Sequence, residues 1–227
     1  MAHYIRMFFR YGEEVSWTRP GIASAIHGPR VYQHEHLPLG PSWADVQRLL
    51  ASTETNRKAD IRDRPILLLV AVYGLRVTEV QWLRLEDVNW EQKTLSITAT
   101  KQQRRTPVCP LIPSLTDAIA RYILEVRPPT DYREIFLRLH APRRPFRHGG
   151  LYGIVATRFQ RLGVKSPRIG PYCLRHACAT HLLSQGLTLT EVGGHLGHRS
   201  LDSTRVYAKV HMPALREVTD LDLGGLL

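Results

Sequence analysis

Tyr172-Cys173-Leu174-Arg175-His176-Ala177-Cys178-Ala179-Thr180-His181-Leu182-Leu183, continued through Gly186 to Gly194-His195-Leu196-Gly197-His198, decides how this chain is organised. Its apolar spacing predicts helices over 172–185 and 189–196, with Gly186 and Gly197 as stops. Arg175 and His176 then ride on the first helix, and His198 falls just past the second. A further predicted helix over 201–210 carries Tyr207 within Ser203-Thr204-Arg205-Val206-Tyr207-Ala208-Lys209-Val210.

Upstream, the same reading gives helices over 151–162 and 114–126, the latter with Leu115, Ile119, Tyr122 and Ile123 on one face. Residues 94–100 alternate β-branched and polar types, 102–105 form a polar turn and 106–111 a partner strand, so Lys101 sits at a hairpin. Gly74 ends a buried helix over 61–73 and places Arg76 at the opening of the next element, where a phosphate is favourably received. The fold class that follows is mostly α with a small antiparallel β-sheet, an α+β arrangement.

The front of the chain reads differently. Residues 2–14 carry apolar positions at helical spacing, after which Pro20, Gly21, Gly28, Pro29, Pro38 and Pro41 interrupt any regular element. Ser42 with Asp45 is a helix-start signal. The expected organisation is therefore an N-terminal helix and linker over 1–39 and a compact domain over 40–227. The densest basic stretch, with Arg138, His140, Arg143, Arg144, Arg147 and His148, reads as a solvated surface loop.

A formal charge of +11 over 227 residues favours a polyanionic partner, because each phosphate neutralised by Lys or Arg releases counterions. Cys109, Cys173 and Cys178 show no metal-binding spacing, and an odd number argues against a disulfide framework, so the cytoplasm is the expected compartment. The longest apolar run, Ile66 to Leu75, is about half of what a membrane span needs.

Five residues in fixed order suit one chemistry. A phosphodiester repels nucleophiles, and fixed cations on its non-bridging oxygens stabilise the pentavalent transition state without metal. Arg76 and Arg175 are candidates, since a guanidinium donates two parallel hydrogen bonds and stays protonated. Lys101 is a candidate proton donor to the leaving 5′ oxygen; its other reading is a turn lysine beside Arg104 and Arg105 that touches phosphate or water. Tyr207 is a candidate nucleophile, or an ordinary core tyrosine. His198 suits a hydrogen bond to phosphate or phenol. The pairs His195 with His198 and His176 with His181 lack the partner sets of a zinc finger or metalloprotease, so no metal or cofactor is expected.

Taken together, these motifs resemble the tyrosine recombinase, or phage integrase, family over roughly residues 40–227. Gly74-Leu75-Arg76-Val77-Thr78-Glu79 is similar to the first arginine box, and Glu79 is implied to support the active-site hydrogen bonds. Leu174-Arg175-His176 resembles the second arginine box, with His176 as a supporting residue. Gly194 to His198 and Thr204 to Val210 resemble the closing histidine and nucleophile boxes. The resemblance implies a double-stranded DNA partner, phosphate contacts from Lys101, Arg104, Arg105 and Arg199, and a homo-tetramer on paired sites.

Two departures stand out. The second box of the family reads His-x-x-Arg, whereas position 172 is Tyr. A phenol hydrogen-bonds phosphate but is a poor proton acceptor near neutral pH, with a reference value around 10, so Tyr172 is expected to keep a binding role. The family's helical N-terminal clamp is represented only by residues 2–14, so the chain is read as a fragment or a minimal recombinase. The competing readings are a DNA-relaxing enzyme resembling a type IB topoisomerase and a catalytically weak DNA-binding regulator. A helix-turn-helix regulator gives no reason for the five residues to occur together.

Overall fold

The computed structural model describes residues 2–26, 40–97, 108–146, 149–166 and 169–197. The chain divides into two compact units, Met1–Glu35 and His36–Leu227.

The first unit is a helix pair. Helix α1 (Ala2–Glu14) packs on α2 (Ile22–Ala25), a short helix inside the stretch expected to lack regular structure. Side chains tie the pair together: Glu13 accepts from the Ala23 amide at 2.8 Å, and Arg6 donates twice to the Ile26 carbonyl at 3.1 and 2.7 Å.

The second unit begins with α3 (Trp43–Ala51), capped as expected by Ser42 and Asp45, each accepting from the other's backbone. Helix α4 (Lys58–Ala71) forms the centre, with Ile66 to Ala71 all buried, as a helix surrounded by others must be. Around it pack α3, the short α5 (Val77–Gln81), α6 (Pro113–Glu125) and α8 (Pro171–Ser184). Helix α7 (Gly150–Arg161) lies against α8, and α9 (Leu189–His195) packs on α8 through Ala179, Leu183, Val192 and Leu196.

Strands β1 (Val88–Asn89), β2 (Thr94–Ser96) and β3 (Val108–Pro110) form one antiparallel sheet in that order. Leu95 pairs with Val88 on one side and Cys109 on the other, so β2 is central and β1 adds a third strand to the expected hairpin. Tyr73 ties the sheet to the end of α4: its hydroxyl donates to the Pro110 carbonyl at 2.7 Å and accepts from the Ile112 amide at 3.0 Å. Burial pushes the Tyr73 phenol up from its ordinary value.

Arg138, His140, Arg143 and Arg144 lie at the surface as expected, but the residues just before them do not. Ile135, Phe136 and Leu137 are buried, Ile135 donates to the Leu83 carbonyl at 2.8 Å, and the Tyr122 hydroxyl accepts from the Leu137 amide at 3.1 Å. The charges decorate a strand-like segment whose apolar residues fill the core, and the density of arginine hid this.

Three ionic groups were also invisible in the sequence. Arg158 donates to Asp60 at 2.6 Å and to Asp63 at 2.7 Å, and Thr55 donates to the other oxygen of Asp60 at 2.6 Å. Burial opposes charge on Asp60, but the Thr55 and Arg158 hydrogen bonds outweigh it and hold the carboxyl below its ordinary value. A carboxyl depressed in the folded state adds stability above its unfolded value, near 3.9, and loses it as pH falls through the folded value. Thr55→Val is therefore expected to cost about 1–2 kcal/mol at pH 7. Urea unfolding should find that cost shrinking as the pH is lowered below about 4, where the Asp60 contribution is lost.

Among the described residues no helix is long and apolar enough to cross a membrane. Cys109, Cys173 and Cys178 are free thiols.

Candidate active site

Arg76 stands at the N-cap of α5, where the chain has just turned at Gly74 with φ of +62°. Glu79, three residues on, accepts from the Arg76 amide at 2.7 Å and from its guanidinium at 2.8 Å. One carboxylate thus caps the helix and aims the guanidinium, which a local i to i+3 spacing achieves without help from the rest of the fold. The Arg76 side chain stays 41% exposed and so remains reachable by a ligand.

Arg175 is the opposite case, only 6% exposed. Its guanidinium donates to the Gly74 carbonyl and, at 2.7 Å, to the Leu196 carbonyl. Arg76 in turn donates to the Gly197 carbonyl at 3.3 Å. Both arginines therefore meet at the loop after α4 and at the C-terminal end of α9. A Cβ on Gly74 would come within 2.5 Å of the Leu196 side chain, so the missing side chain lets α9 close on the loop.

The same junction uses His195 and Cys178. His195 Nε2 lies 3.0 Å from the Val72 carbonyl, which only accepts, so that nitrogen carries the proton. Cys178 sits 3.8 Å from it and donates to the same carbonyl at 3.3 Å. Burial pushes the Cys178 thiol up to about 11, with Arg175 pulling against it, so the sulfur serves packing and not nucleophilic chemistry. Sequence reasoning assigned His195 no structural role, because its partner lies far away in the chain.

Tyr172 and His176 occupy successive turns of α8. Tyr172 is 63% exposed, and its ring meets His176 edge to face at 4.2 Å between centroids. His176 also lines a cavity with Trp43 and His181, whose rings stack at 4.0 Å.

Burial raises the Cys109 thiol on β3, and the Glu79 carboxylate raises it further. Residues 98–107, which join β2 to β3 and include Lys101, Arg104 and Arg105, lie outside the described residues. So do His198, Arg199 and Tyr207. Of the expected site, the structure brings together Arg76, Glu79 and Arg175, and sets Tyr172 and His176 on the helix that carries Arg175. Among the described residues no group of three or more His, Cys, Asp or Glu side chains is arranged to hold a metal.

The chain matches the phage integrase family over residues 43–213. It is 34% identical over 224 residues to the putative integrase/recombinase y4rF of Sinorhizobium fredii, covering 98% of this chain and 52% of that protein. The putative integrase/recombinase y4gC of the same organism is 40% identical over 179 residues, covering 78% of this chain and 91% of that protein. Tyrosine recombinase XerD of Listeria innocua is 30% identical over 224 residues, covering 96% and 74%. The fold is similar to that of the XerH site-specific recombinase in its post-cleavage complex with palindromic difH substrate, with a TM-score of 0.73 at 21% identity, covering 88% of this chain and 57% of that one. The chain thus spans about half the length of y4rF and of the XerH chain, and most of y4gC.

Proposed function

Because the chain belongs to the phage integrase family, the tyrosine recombinases, we propose that it breaks and rejoins double-stranded DNA at specific sites through a covalent 3′-phosphotyrosine. The observation that carries this reading is the meeting of Arg76 and Arg175 at Gly74, Leu196 and Gly197, immediately before His198 and the segment bearing Tyr207.

In the proposed reaction the Tyr207 phenol gives up its proton to water, its oxygen attacks phosphorus, and the bond from phosphorus to the 5′ oxygen breaks. Arg76 and Arg175 hold the non-bridging oxygens, on which negative charge accumulates in the transition state. Lys101 gives a proton to the departing 5′ oxygen, and His198 hydrogen-bonds the phosphate or orients the phenol. The phosphotyrosine keeps the energy of the broken bond, so a 5′ hydroxyl attacks it to rejoin the strand without ATP. Fixed cations perform the charge neutralisation, so the scheme needs no metal.

Tyr172 contacts the phosphate through its hydroxyl, Glu79 orients Arg76, and His176 supports the Tyr172 ring. Arg104, Arg105 and Arg199 add phosphate contacts, and the +11 charge favours the duplex. The protein acts in the cytoplasm as a homo-tetramer on paired sites.

Incubation with supercoiled plasmid in EDTA without ATP, quenched with SDS, is expected to yield relaxed product and a protein–DNA adduct. DNA binding with no adduct would replace the reading with a catalytically weak DNA-binding protein.

A further inference from the structure

A groove between the start of α5, α7 and the start of α8 is lined by Val77, Gly149, Tyr152, Ile169, Gly170 and Tyr172 and has a volume of about 320 Å³. We infer that this groove is a subsite for the deoxynucleotide adjoining the phosphate held by Arg76 and Arg175, with the two tyrosine rings packed on its apolar face. The inference rests on the strand-breaking reading above and adds Tyr152, which no motif in the sequence marks.

Both rings are more than half exposed, Tyr152 at 54% and Tyr172 at 63%, yet both are held in place. Gly170 has φ of +153°, and a Cβ there would come within 2.7 Å of the Tyr152 ring. That ring therefore lies directly on the Gly170 peptide. His176 holds the Tyr172 ring edge to face at 4.2 Å. Two large aromatic surfaces kept exposed and fixed lose little conformational entropy when a ligand covers them.

Position identifies the occupant. Val77 follows Arg76 directly, and Tyr172 lies one helical turn before Arg175, so the groove is walled by the chain neighbours of both arginines. A DNA strand whose phosphate sits on those arginines must continue past them in one direction or the other. The lining suits what comes next: a deoxyribose and base present apolar faces, and none of the described lining residues is acidic. A tyrosine ring packs on such a face through its π surface, and aromatic contact of this kind tolerates any sequence. The groove therefore positions the strand, and other contacts read its bases.

Nitration by tetranitromethane, mapped by peptide mass spectrometry, tests this on the intact chain. A random-sequence duplex that retards the protein in a gel is expected to slow nitration of Tyr152 and Tyr172 about fivefold or more. Tyr132, exposed outside the groove, should react unchanged. Heparin supplies negative charge without nucleotides and is expected to leave Tyr152 reactive. Tyr152→Ala should weaken duplex binding about 5- to 50-fold, and Tyr152→Phe should restore it to within about twofold. Retardation with Tyr152 nitrated at its free rate, or equal protection by heparin, would overturn the subsite and leave the strand-breaking reading intact. No retardation by duplex at all would overturn that reading as well, and the subsite with it.

Discussion

Tyr207→Phe is expected to abolish covalent capture of DNA, a loss of at least about 10³-fold in adduct formation, while duplex binding stays within about twofold of the unaltered chain. The substitution removes one oxygen and little else. In the proposed reaction that oxygen forms the bond to phosphorus, and a water molecule in its place would give hydrolysis without an adduct. The arginines that hold phosphate are untouched, so binding survives. The plasmid assay in EDTA reads the adduct, and gel retardation reads the binding. An adduct persisting in Tyr207→Phe would assign the nucleophile to another residue and remove the proposed mechanism.

Arg175→Ala is expected to remove both cleavage and a large share of stability. The guanidinium joins the Gly74 and Leu196 carbonyls from a position only 6% exposed. Deleting it strands two buried acceptors, each costing about 1–3 kcal/mol. A total of about 2–6 kcal/mol corresponds to a fall of roughly 4–24 °C in melting temperature for a domain of this size. Arg175→Lys keeps the charge, yet a single ammonium lacks the planar fork that spans both carbonyls, so most of the loss should remain.

Arg76→Ala makes the informative comparison. Its side chain is 41% exposed and its ion pair with Glu79 is local, so a stability cost below about 1 kcal/mol is expected. Its cleavage should nevertheless be lost as fully as in Arg175→Ala. Thermal melts beside adduct yields separate the two arginines: both are proposed to hold the phosphate, while only Arg175 bridges two buried carbonyls and Arg76 adds one longer bond to Gly197. Equal melting losses in both variants would contradict that division.

Much of the local architecture was legible because it depends on neighbours in sequence. The Ser42 and Asp45 start of α3, the turn at Gly74 and the Arg76 cap with Glu79 all use interactions between residues a few positions apart. Helices α6, α7 and α8 begin and end within a residue or so of their expected limits, because apolar periodicity and glycine stops act over the same short range. Strands β2 and β3 pair as their alternation suggested.

What the linear order could not contain was the set of contacts made by packing. Ile135, Phe136 and Leu137, just ahead of the basic loop, are core, because burial depends on the elements that cover a segment. Arg158 looked like any other arginine until α7 brought it to Asp60 and Asp63. Tyr152 became a candidate ligand contact only when Gly170 and Tyr172 came beside it. The order Arg76, Lys101, Arg175, His198, Tyr207, on which the proposed chemistry rests, and the local caps can both be read from the residues themselves. The closing of α9 onto Arg76 and Arg175 was set by tertiary structure, since a guanidinium finds carbonyls a hundred positions away only after the helices between them have packed.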